Sequence, residues 1–439
     1  MRKINTILCK FTNKNWFRYY SGEYRIFHFP GISKAKEENN GVETVMSKIQ
    51  LPSSKACVVL TEKIDEPSKK SRTPTKNVAN TILKEPQECT VEKVENMPEK
   101  VKCLRPVPRL KPVTKLPAEY NPKPPEIPAI KLRDGYMMPM FGLGTWGSAP
   151  EKVEAAVKHA IKVGYRMFDC AHVYENEKAV GKAINKSIEE CLVKRKNLFI
   201  TSKLWNTYHH PDLVLEGCRR TLDDLNLSYL NLYLIHWPMG YKAGNELIPY
   251  DACGRVLTTR VDYVETWKAM EKLVESGYTR SIGVSNFNKN QIERIWKVAK
   301  IRPVVNQVEC HPYLTQQRLM AFLKEKGIVL VAYSPLGAPA RPWVKSEDPP
   351  VLEDNLIKTI AFSHGRTPAQ ICIRYQIQRG NVVIPKSVTP SRIESNFDVA
   401  SFELTGQEMK MLDNLDRKLR LVALESVSNH PHYPFHDAF

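Results

Sequence analysis

The chain from Ala129 onward alternates short apolar runs with longer amphipathic stretches. The apolar runs have the length of buried strands, and the amphipathic stretches repeat their apolar positions at helical spacing. The predicted strands are Phe141–Leu143, Met167–Asp169, Leu198–Lys203, Leu230–Ile235, Ser281–Val284, Val304–Glu309, Val329–Tyr333 and Val382–Pro385. The helices predicted between them include Glu151–Val163, Leu213–Leu225, Val264–Ser276, Gln291–Ala299 and Gln316–Lys326.

Eight strands separated by helices predict a parallel sheet, because a parallel neighbour cannot be reached through a tight turn. The region 129–439 has the length of a (β/α)8 TIM barrel with insertions. The alternative is a doubly wound open sheet, which places a glycine fingerprint after its first strand. We interpret the glycine run that starts at Gly142 as not being that fingerprint. The pattern therefore favours an α/β fold of the barrel type.

Polar residues stand at or just beyond the C-terminal ends of the predicted strands, where a barrel of this type carries its active site. On their own, a lysine or aspartate at a strand end is usually a solvated charge, and a loop tyrosine usually packs. Together they suggest shared chemistry. The residues in these positions are Asp169, Tyr174, Lys203, His236, Ser285, Asn286, Gln307, Tyr333, Lys386 and Ser387.

Four of these residues suit the reduction of a carbonyl group. Tyr174 would protonate the carbonyl oxygen, and an ammonium beside it at Lys203 would lower the pKa of the phenol. Asp169 would neutralise the buried lysine, because a buried charge needs a partner. A neutral His236 would orient the carbonyl by hydrogen bonding while a hydride reaches its carbon.

The first 128 residues differ in composition from the rest. They carry 24 Lys+Arg and 14 Asp+Glu out of totals of 65 and 47, which is more than half of the net charge of +18. They also hold 14 of the 31 prolines, and residues 23–128 are predicted to form a disordered extension. Basic residues there lack interleaved aromatics, so we expect no nucleic-acid partner. Salt-dependent binding of RNA or DNA by this tail is the alternative.

Residues 1–22 contain five basic residues and no acidic one. Apolar residues from Ile4 to Phe11 recur at helical spacing, which is typical of a mitochondrial transit peptide. Arg18 lies two residues before a candidate cleavage point after Tyr20. A chance basic terminus or a mistranslated upstream start is the alternative, so the expected location is cytoplasmic or mitochondrial.

Two further classes of protein are not expected. No apolar run approaches the about 20 residues that span a bilayer, so we expect no integral membrane segment. The ten cysteines are scattered, without a C-x-x-C pair or zinc-ligand spacing. We therefore expect a reducing compartment and no structural metal.

The region from about Ile130 to Phe439 resembles the aldo-keto reductases, and within them the aldose reductase and aldehyde reductase branch. The matching motifs are Phe168-Asp169-Cys170-Ala171-His172-Val173-Tyr174-Glu175-Asn176-Glu177, Ile200-Thr201-Ser202-Lys203-Leu204-Trp205, Leu234-Ile235-His236-Trp237-Pro238, Gly283-Val284-Ser285-Asn286-Phe287, Asn306-Gln307-Val308-Glu309-Cys310-His311-Pro312-Tyr313, Tyr333-Ser334-Pro335-Leu336-Gly337 and Ile384-Pro385-Lys386-Ser387. The resemblance implies a monomeric, NADPH-dependent oxidoreductase that converts small-molecule aldehydes or ketones to alcohols, with Tyr174 as its acid/base.

The resemblance also implies the residues that hold NADPH. Tyr333 would stack on the nicotinamide, and two cations around one phosphate would favour NADP over NAD. The carboxamide would be held by Ser285, Asn286 and Gln307, the 2′-phosphate by Lys386, Ser387 and Arg392, and the adenine by Asn396, with Ser334 and Leu336 completing the cofactor set.

The substrate pocket implied by the resemblance is aromatic. Four indoles would form an apolar cup that suits aromatic, lipid-derived or medium-chain aldehydes. The C-terminal loop around 422–424 would join the lining. The lining residues are Trp146, Val173, Trp205, His236, Trp237, Ile248 and Trp343.

Several positions depart from the family pattern. Ala340 stands where the family has an aspartate, and Gly147 stands where aldose reductase has a lysine. Both belong to a salt-linked strap over the cofactor, so we expect a looser strap and faster release of NADP. Ile248 replaces a pocket phenylalanine, and Cys170 replaces a threonine.

A nicotinamide-sensing binding module is the alternative function, because some barrels of this family act as channel subunits with little turnover. The complete set of four catalytic candidates argues against it.

Overall fold

The computed structural model describes residues 44–50, 56–62 and 127–437. The first two ranges form an antiparallel pair of strands, β1 (Thr44–Gln50) and β2 (Ala56–Glu62). This strand pair was not predicted, because the proline-rich composition of the surrounding region outweighed two short segments rich in β-branched and apolar residues. The transit-peptide prediction for 1–22, and most of the extension predicted over 23–128, lie outside the described residues.

The C-terminal unit contains a parallel eight-stranded barrel, which confirms the predicted fold. The strands of this unit, in chain order, are β3 (Ala129–Lys131), β4 (Met137–Pro139), β5 (Leu143–Gly144), β6 (Met167–Asp169), β7 (Phe199–Leu204), β8 (Leu230–Ile235), β9 (Gly240–Tyr241), β10 (Thr258–Thr259), β11 (Thr279–Ser285), β12 (Val305–Glu309), β13 (Val329–Tyr333) and β14 (Val382–Val383). The barrel order is β14-β13-β12-β11-β8-β7-β6-β5, while β3 pairs with β4 and β9 with β10.

The two outer strands of that order meet and close the barrel. Phe141 pairs in parallel with Val383, and Gly144 pairs in parallel with Lys386. A Cβ atom added to Gly144 would lie 2.8 Å from the carbonyl oxygen of Ile384, so only glycine permits this close approach.

The glycine run after the first strand was interpreted wrongly from the sequence. Gly142, Gly144 and Gly147 do have the G-x-G-x-x-G spacing, so the run alone did not exclude an open sheet. In the structure no helix begins at the third glycine, since the first helix starts at Pro150. The closed barrel, and not the glycine spacing, excludes the open sheet.

Helices follow the barrel strands. Every strand and helix predicted above lies within two residues of an observed one at each end. The helices are α1 (Pro150–Val163), α2 (Glu177–Glu189), α3 (Val214–Leu225), α4 (Tyr263–Glu275), α5 (Lys289–Val298), α6 (Gln317–Glu325), α7 (Asn355–Ser363), α8 (Pro368–Gln378), α9 (Pro390–Phe397) and α10 (Gly406–Asp413).

The barrel interior is apolar at its N-terminal end. Leu132 and Met138, from the segment of the β3–β4 hairpin, are buried together with strand residues such as Met167, Phe199 and Val331. This packing leaves the C-terminal ends of the strands for the polar groups. Within the described residues, no helix is both long and apolar enough to cross a membrane.

Candidate active site

Lys203 lies at the centre of the polar cluster. It belongs to β7, and its side chain is fully buried. Its Nζ atom donates hydrogen bonds to Asp169 Oδ2 at 2.7 Å, to the carbonyl oxygen of Cys170 at 2.8 Å and to the hydroxyl of Tyr174 at 3.0 Å. An ammonium group has three donors, so every one of them is used. The ammonium is stable in this buried place because its charge is paired and its donors are satisfied.

Asp169 connects three strands of the barrel. It ends β6, and its second carboxylate oxygen, Oδ1, accepts a hydrogen bond from Gln307 Nε2 on β12 at 2.8 Å. Because the C-terminal ends of parallel strands share one end of the barrel, residues distant in sequence meet here. The geometry brings Asp169, Tyr174 and Lys203 together at this end. Gln307, which was predicted to hold the carboxamide of the cofactor, contacts Asp169 instead.

The pKa of Tyr174 differs from the sequence expectation. Burial raises the pKa of this phenol to about 12, while the Lys203 ammonium lowers it and the Asp169 carboxylate raises it. The predicted net lowering was therefore wrong in direction, because desolvation outweighs an ammonium whose field a carboxylate partly cancels. Tyr174 consequently keeps its proton at neutral pH and can donate it.

His236 follows β8 and faces the phenol. Its ring meets the ring of Tyr174 edge-on at 5.9 Å between centroids and that of Trp205 at 5.3 Å. Burial, then the positive charge of Lys203 and the neighbouring His209, hold the pKa of His236 well below its usual value. The imidazole is therefore neutral at neutral pH, as expected for a group that hydrogen bonds to a carbonyl.

A second cluster of predicted residues surrounds Asn286. Its backbone is left-handed (φ 61°), and its Nδ2 atom donates to the carbonyl oxygen of His236 at 3.0 Å. The hydroxyl of Tyr333 donates to Asn286 Oδ1 at 2.8 Å, and the hydroxyl of Ser285 donates to the carbonyl oxygen of Gln307 at 2.9 Å. These bonds fix the Tyr333 ring, which suits a planar platform for stacking. Ser334 follows it with a left-handed backbone, and half-buried Leu336 lies in the same loop.

The N-terminus of α9 has the features of a phosphate site. Its N-cap residue, Thr389, makes no side-chain cap. Lys386 and Ser387 precede the helix, and Arg392 lies in its first turn. In the described part of the chain, neither Lys386 nor Arg392 forms an ion pair with a carboxylate. Two cations without a carboxylate partner beside the N-terminus of a helix suit a doubly charged phosphate. Asn396 is buried on the same helix.

The predicted aromatic residues form walls and a rim. Trp205 and Trp237 are buried, and Trp205 Nε1 donates to the carbonyl oxygen of Leu247 at 2.6 Å. Trp343 is 48% exposed, and its ring lies 5.8 Å from that of Trp146. Two further predicted lining residues differ in burial: Val173 is half-buried next to Tyr174, and Ile248 is exposed.

The loop after β13 holds itself in place without the family's strap residues. Ala340 and Gly147 are both exposed. Arg341 is buried, donates to the carbonyl oxygen of Ala338 at 3.2 Å and forms an ion pair with Asp348. The ion pair orders the loop internally. Faster cofactor release, expected from the missing strap, stays a prediction.

Two buried carboxylates were not predicted from the sequence as site residues. Glu309 ends β12 and is fully buried, and Glu177 starts α2 and is 3% exposed. The rule that selected Gln307, a polar residue at a strand end, would also have selected Glu309. Glu177 had no such signal, because its partners Ser202 and Thr221 are distant in sequence.

One group of described residues has metal-ligating atoms within 4.8 Å of one another, namely His172, Glu177 and Asp224. Both oxygens of Glu177 already accept hydrogen bonds, from Ser202 Oγ at 2.6 Å and from Thr221 Oγ1 at 3.1 Å. These two hydrogen bonds satisfy both carboxylate oxygens of Glu177.

Glu177 makes stability depend on pH. Burial raises the pKa of this carboxyl to about 7 in the folded chain, above the ordinary value of 4.5. Between these pH values the folded chain binds more protons, so the free energy of unfolding falls as the pH rises, by about 3 kcal/mol in all. We expect Glu177→Gln to remove this slope, measured by urea unfolding at pH 5 and pH 8. A variant whose pH dependence equals that of the wild type would contradict the assignment.

The profile described as "Aldo/keto reductase family" matches residues 138–417. The chain belongs to the aldo/keto reductase family. It is 48% identical to Aldo-keto reductase family 1 member A1-A of Danio rerio over 316 residues, which are 70% of this chain and 98% of that protein. It is 46% identical to Aldo-keto reductase family 1 member A1 of Rattus norvegicus over 321 residues, 71% of this chain and 99% of that protein.

A solved structure agrees with this assignment. The aldose reductase from Schistosoma japonicum matches with a TM-score of 0.67 and 42% identity, over 71% of this chain and all of that one. The predicted family and branch are thus confirmed. This aldo-keto reductase is an oxidoreductase of a family that reduces small carbonyl compounds and generally uses a nicotinamide dinucleotide.

Proposed function

We propose that this aldo-keto reductase reduces aldehydes and ketones to alcohols with NADPH, using Tyr174 as the proton donor. The observation that carries the proposal is the buried contact of Lys203 Nζ with both Tyr174 and Asp169. A phenol in this setting is protonated and close to a neutral imidazole. Such a pair suits a carbonyl oxygen that gains negative charge as it is reduced.

Each residue of the cluster has a separate task. When bound, the nicotinamide supplies a hydride to the carbonyl carbon. The hydroxyl of Tyr174 donates a hydrogen bond to the carbonyl oxygen and then its proton. Lys203 stabilises the phenolate that remains, and Asp169 holds Lys203 in position. His236 orients the carbonyl from the other side through a neutral ring nitrogen.

The residues present fit NADPH. Tyr333 would stack on the nicotinamide, with its ring fixed through Asn286. Ser285, Asn286 and Gln307 lie at the ends of β11 and β12, where they would hold the carboxamide. The loop with Ser334 and Leu336 would carry the pyrophosphate. The remaining contacts would come from the segment around α9, with Lys386, Ser387 and Arg392 at the 2′-phosphate and Asn396 at the adenine.

The aromatic lining favours apolar aldehydes over sugars. Buried Trp205 and Trp237 would exclude water from the reacting carbonyl. Exposed Ile248 has a smaller side chain than a phenylalanine, so this side of the pocket would admit a wider ring or chain. We propose aromatic, lipid-derived or medium-chain aldehydes as substrates. We also propose that the enzyme acts as a monomer. The proposed location is mitochondrial with 1–22 as the import signal, or cytoplasmic if this segment is not one.

A carbonyl panel with NADPH and NADH tests the cofactor assignment. We expect the full chain to prefer NADPH, because Lys386 and Arg392 contribute charge-assisted contacts to a phosphate that NADH lacks. The double variant Lys386→Met/Arg392→Met should raise the KM for NADPH by about 100-fold, at roughly tenfold for each contact. The KM for NADH should change little. Equal effects on both cofactors, or a wild type that prefers NADH, would contradict the proposal.

A further inference from the structure

The loop 420–424 near the C-terminus is held by three anchors from separate elements. The backbone N–H groups of Leu421 and Val422 donate to the Glu309 carboxylate at 2.8 and 2.9 Å, one to each oxygen. The indole of Trp343 donates to the carbonyl oxygen of Leu421 at 2.7 Å. The hydroxyl of Tyr433 donates to the carbonyl oxygen of Ala423 at 2.7 Å. The backbone of this loop is therefore fixed on both its N–H and its C=O side.

Glu309 is the buried anchor of the three. Its side chain is fully buried, and Nε2 of His311, 2.9 Å away, is its third hydrogen-bonding neighbour. It forms no ion pair with a lysine or arginine of the described chain. A buried carboxylate without a lysine or arginine partner depends on N–H donors such as the two backbone amides of the loop. The loop thus satisfies Glu309, and Glu309 in turn fixes the loop.

The anchored loop lies beside the proposed pocket. Trp343, which binds Leu421, also packs against Trp146 at the rim. Leu424 has a left-handed backbone (φ 52°), which costs energy for a side chain of this size and persists only where the surroundings impose it. The anchored residues 421–423 directly precede it.

The same strand serves the catalytic cluster and the loop. Gln307 and Glu309 lie two residues apart on β12, so their side chains leave the strand on the same side. Gln307 donates to Asp169, and Glu309 accepts from Leu421 and Val422. A rigid strand therefore sets the distance between the reacting carbonyl and the loop.

We propose that Glu309 is a positioning residue for substrate specificity, which holds 420–424 against the pocket before a substrate arrives. This inference rests on the proposed function as a carbonyl reductase. A substrate large enough to touch the loop binds more tightly, because the loop is already ordered and loses no further conformational entropy on binding. A small aldehyde that stays near Tyr174 and His236 does not touch the loop, so its affinity does not depend on the position of the loop.

Glu309→Gln tests the proposal, since the amide keeps the size of the side chain but turns one acceptor into a donor that faces an N–H. Hydrogen exchange at the amides of Leu421 and Val422 should accelerate by about tenfold or more, as expected for a lost charge-assisted bond. The KM for a bulky aromatic aldehyde such as naphthaldehyde should rise by about tenfold. The kcat values, the KM for propanal and NADPH affinity should stay within about threefold. Glu403→Gln, at an exposed carboxylate paired with Arg374, is the matched control and should change none of these.

Tyr433→Phe provides an independent variant that keeps the core intact. It removes only the hydroxyl that donates to the carbonyl oxygen of Ala423. It should therefore raise the rate of hydrogen exchange in the loop and the KM for naphthaldehyde, each by a smaller factor than Glu309→Gln. It carries the test if Glu309→Gln fails to fold. Unchanged exchange at 421–423 in the folded variants, or an equal loss for propanal and naphthaldehyde, would overturn the proposal. If the wild type reduces no carbonyl at all, the proposed function fails, whereas the exchange measurement still decides whether Glu309 holds the loop.

Discussion

Tyr174→Phe is expected to lower kcat/KM for aldehyde reduction by about a thousandfold, the middle of the range for removing a positioned general acid. The ring, its packing and its edge-on contact with His236 remain, but the proton that neutralises the carbonyl oxygen is lost. The pKa of about 12 means that wild-type Tyr174 stays protonated throughout the neutral range. Reduction by the wild type should therefore not depend on the titration of Tyr174 between pH 6 and pH 9. Steady-state kinetics with a saturating cofactor measure both effects.

Tyr278→Phe is the control for this variant. Tyr278 accepts hydrogen bonds from Arg219 on α3 and lies outside the proposed site. Loss of the Tyr278 hydroxyl should leave kcat/KM within about threefold of the wild-type value, the variation typical of surface substitutions. NADPH affinity should be unchanged in both variants. Activity of Tyr174→Phe close to that of the wild type would exclude Tyr174 as the proton donor.

Lys203→Met should inactivate the enzyme and also destabilise the fold. The substitution keeps the length of the side chain but leaves the Asp169 carboxylate buried without its counter-ion. Breaking a buried ion pair on one side costs about 3–5 kcal/mol. The pKa of Tyr174 would rise further without the ammonium, so its phenolate would be harder to form. Urea unfolding and kcat measure the two losses.

The double variant Asp169→Asn/Lys203→Met separates stability from catalysis. Without the carboxylate, the missing ammonium no longer leaves a buried charge, so most of the lost free energy of unfolding should return. Activity should stay low, because the phenolate still lacks its cation. The asparagine keeps an oxygen that can accept from Gln307 Nε2. A double variant that is as unstable as Lys203→Met would show that the ion pair is not the cause of the loss.

The fold could be predicted from periodicity because a barrel repeats one local unit. Strands such as Leu230–Ile235 are buried along their whole length, and helices such as α3 carry a regular apolar stripe. The rule that active sites lie at strand ends then selected Asp169, Lys203 and His236 before any contact was known.

Quantities that depend on burial could not be predicted in the same way. The Tyr174 pKa moved opposite to expectation, because the sequence shows the neighbouring ammonium but not the loss of water around the phenol. The Glu177 carboxylate accepts hydrogen bonds from hydroxyls on β7 and α3. The Glu309 carboxylate accepts them from backbone N–H groups more than a hundred residues away. Such partners have no spacing signal in the chain.

The most direct test of the central claim is a single-turnover experiment with the full chain, NADPH and an aromatic aldehyde. We predict that one alcohol forms for each NADPH oxidised, and that the Tyr174→Phe variant binds NADPH equally well but forms alcohol far more slowly. Tight binding of NADPH by the wild type without formation of alcohol from any aldehyde would contradict the account and indicate a nicotinamide-sensing module instead.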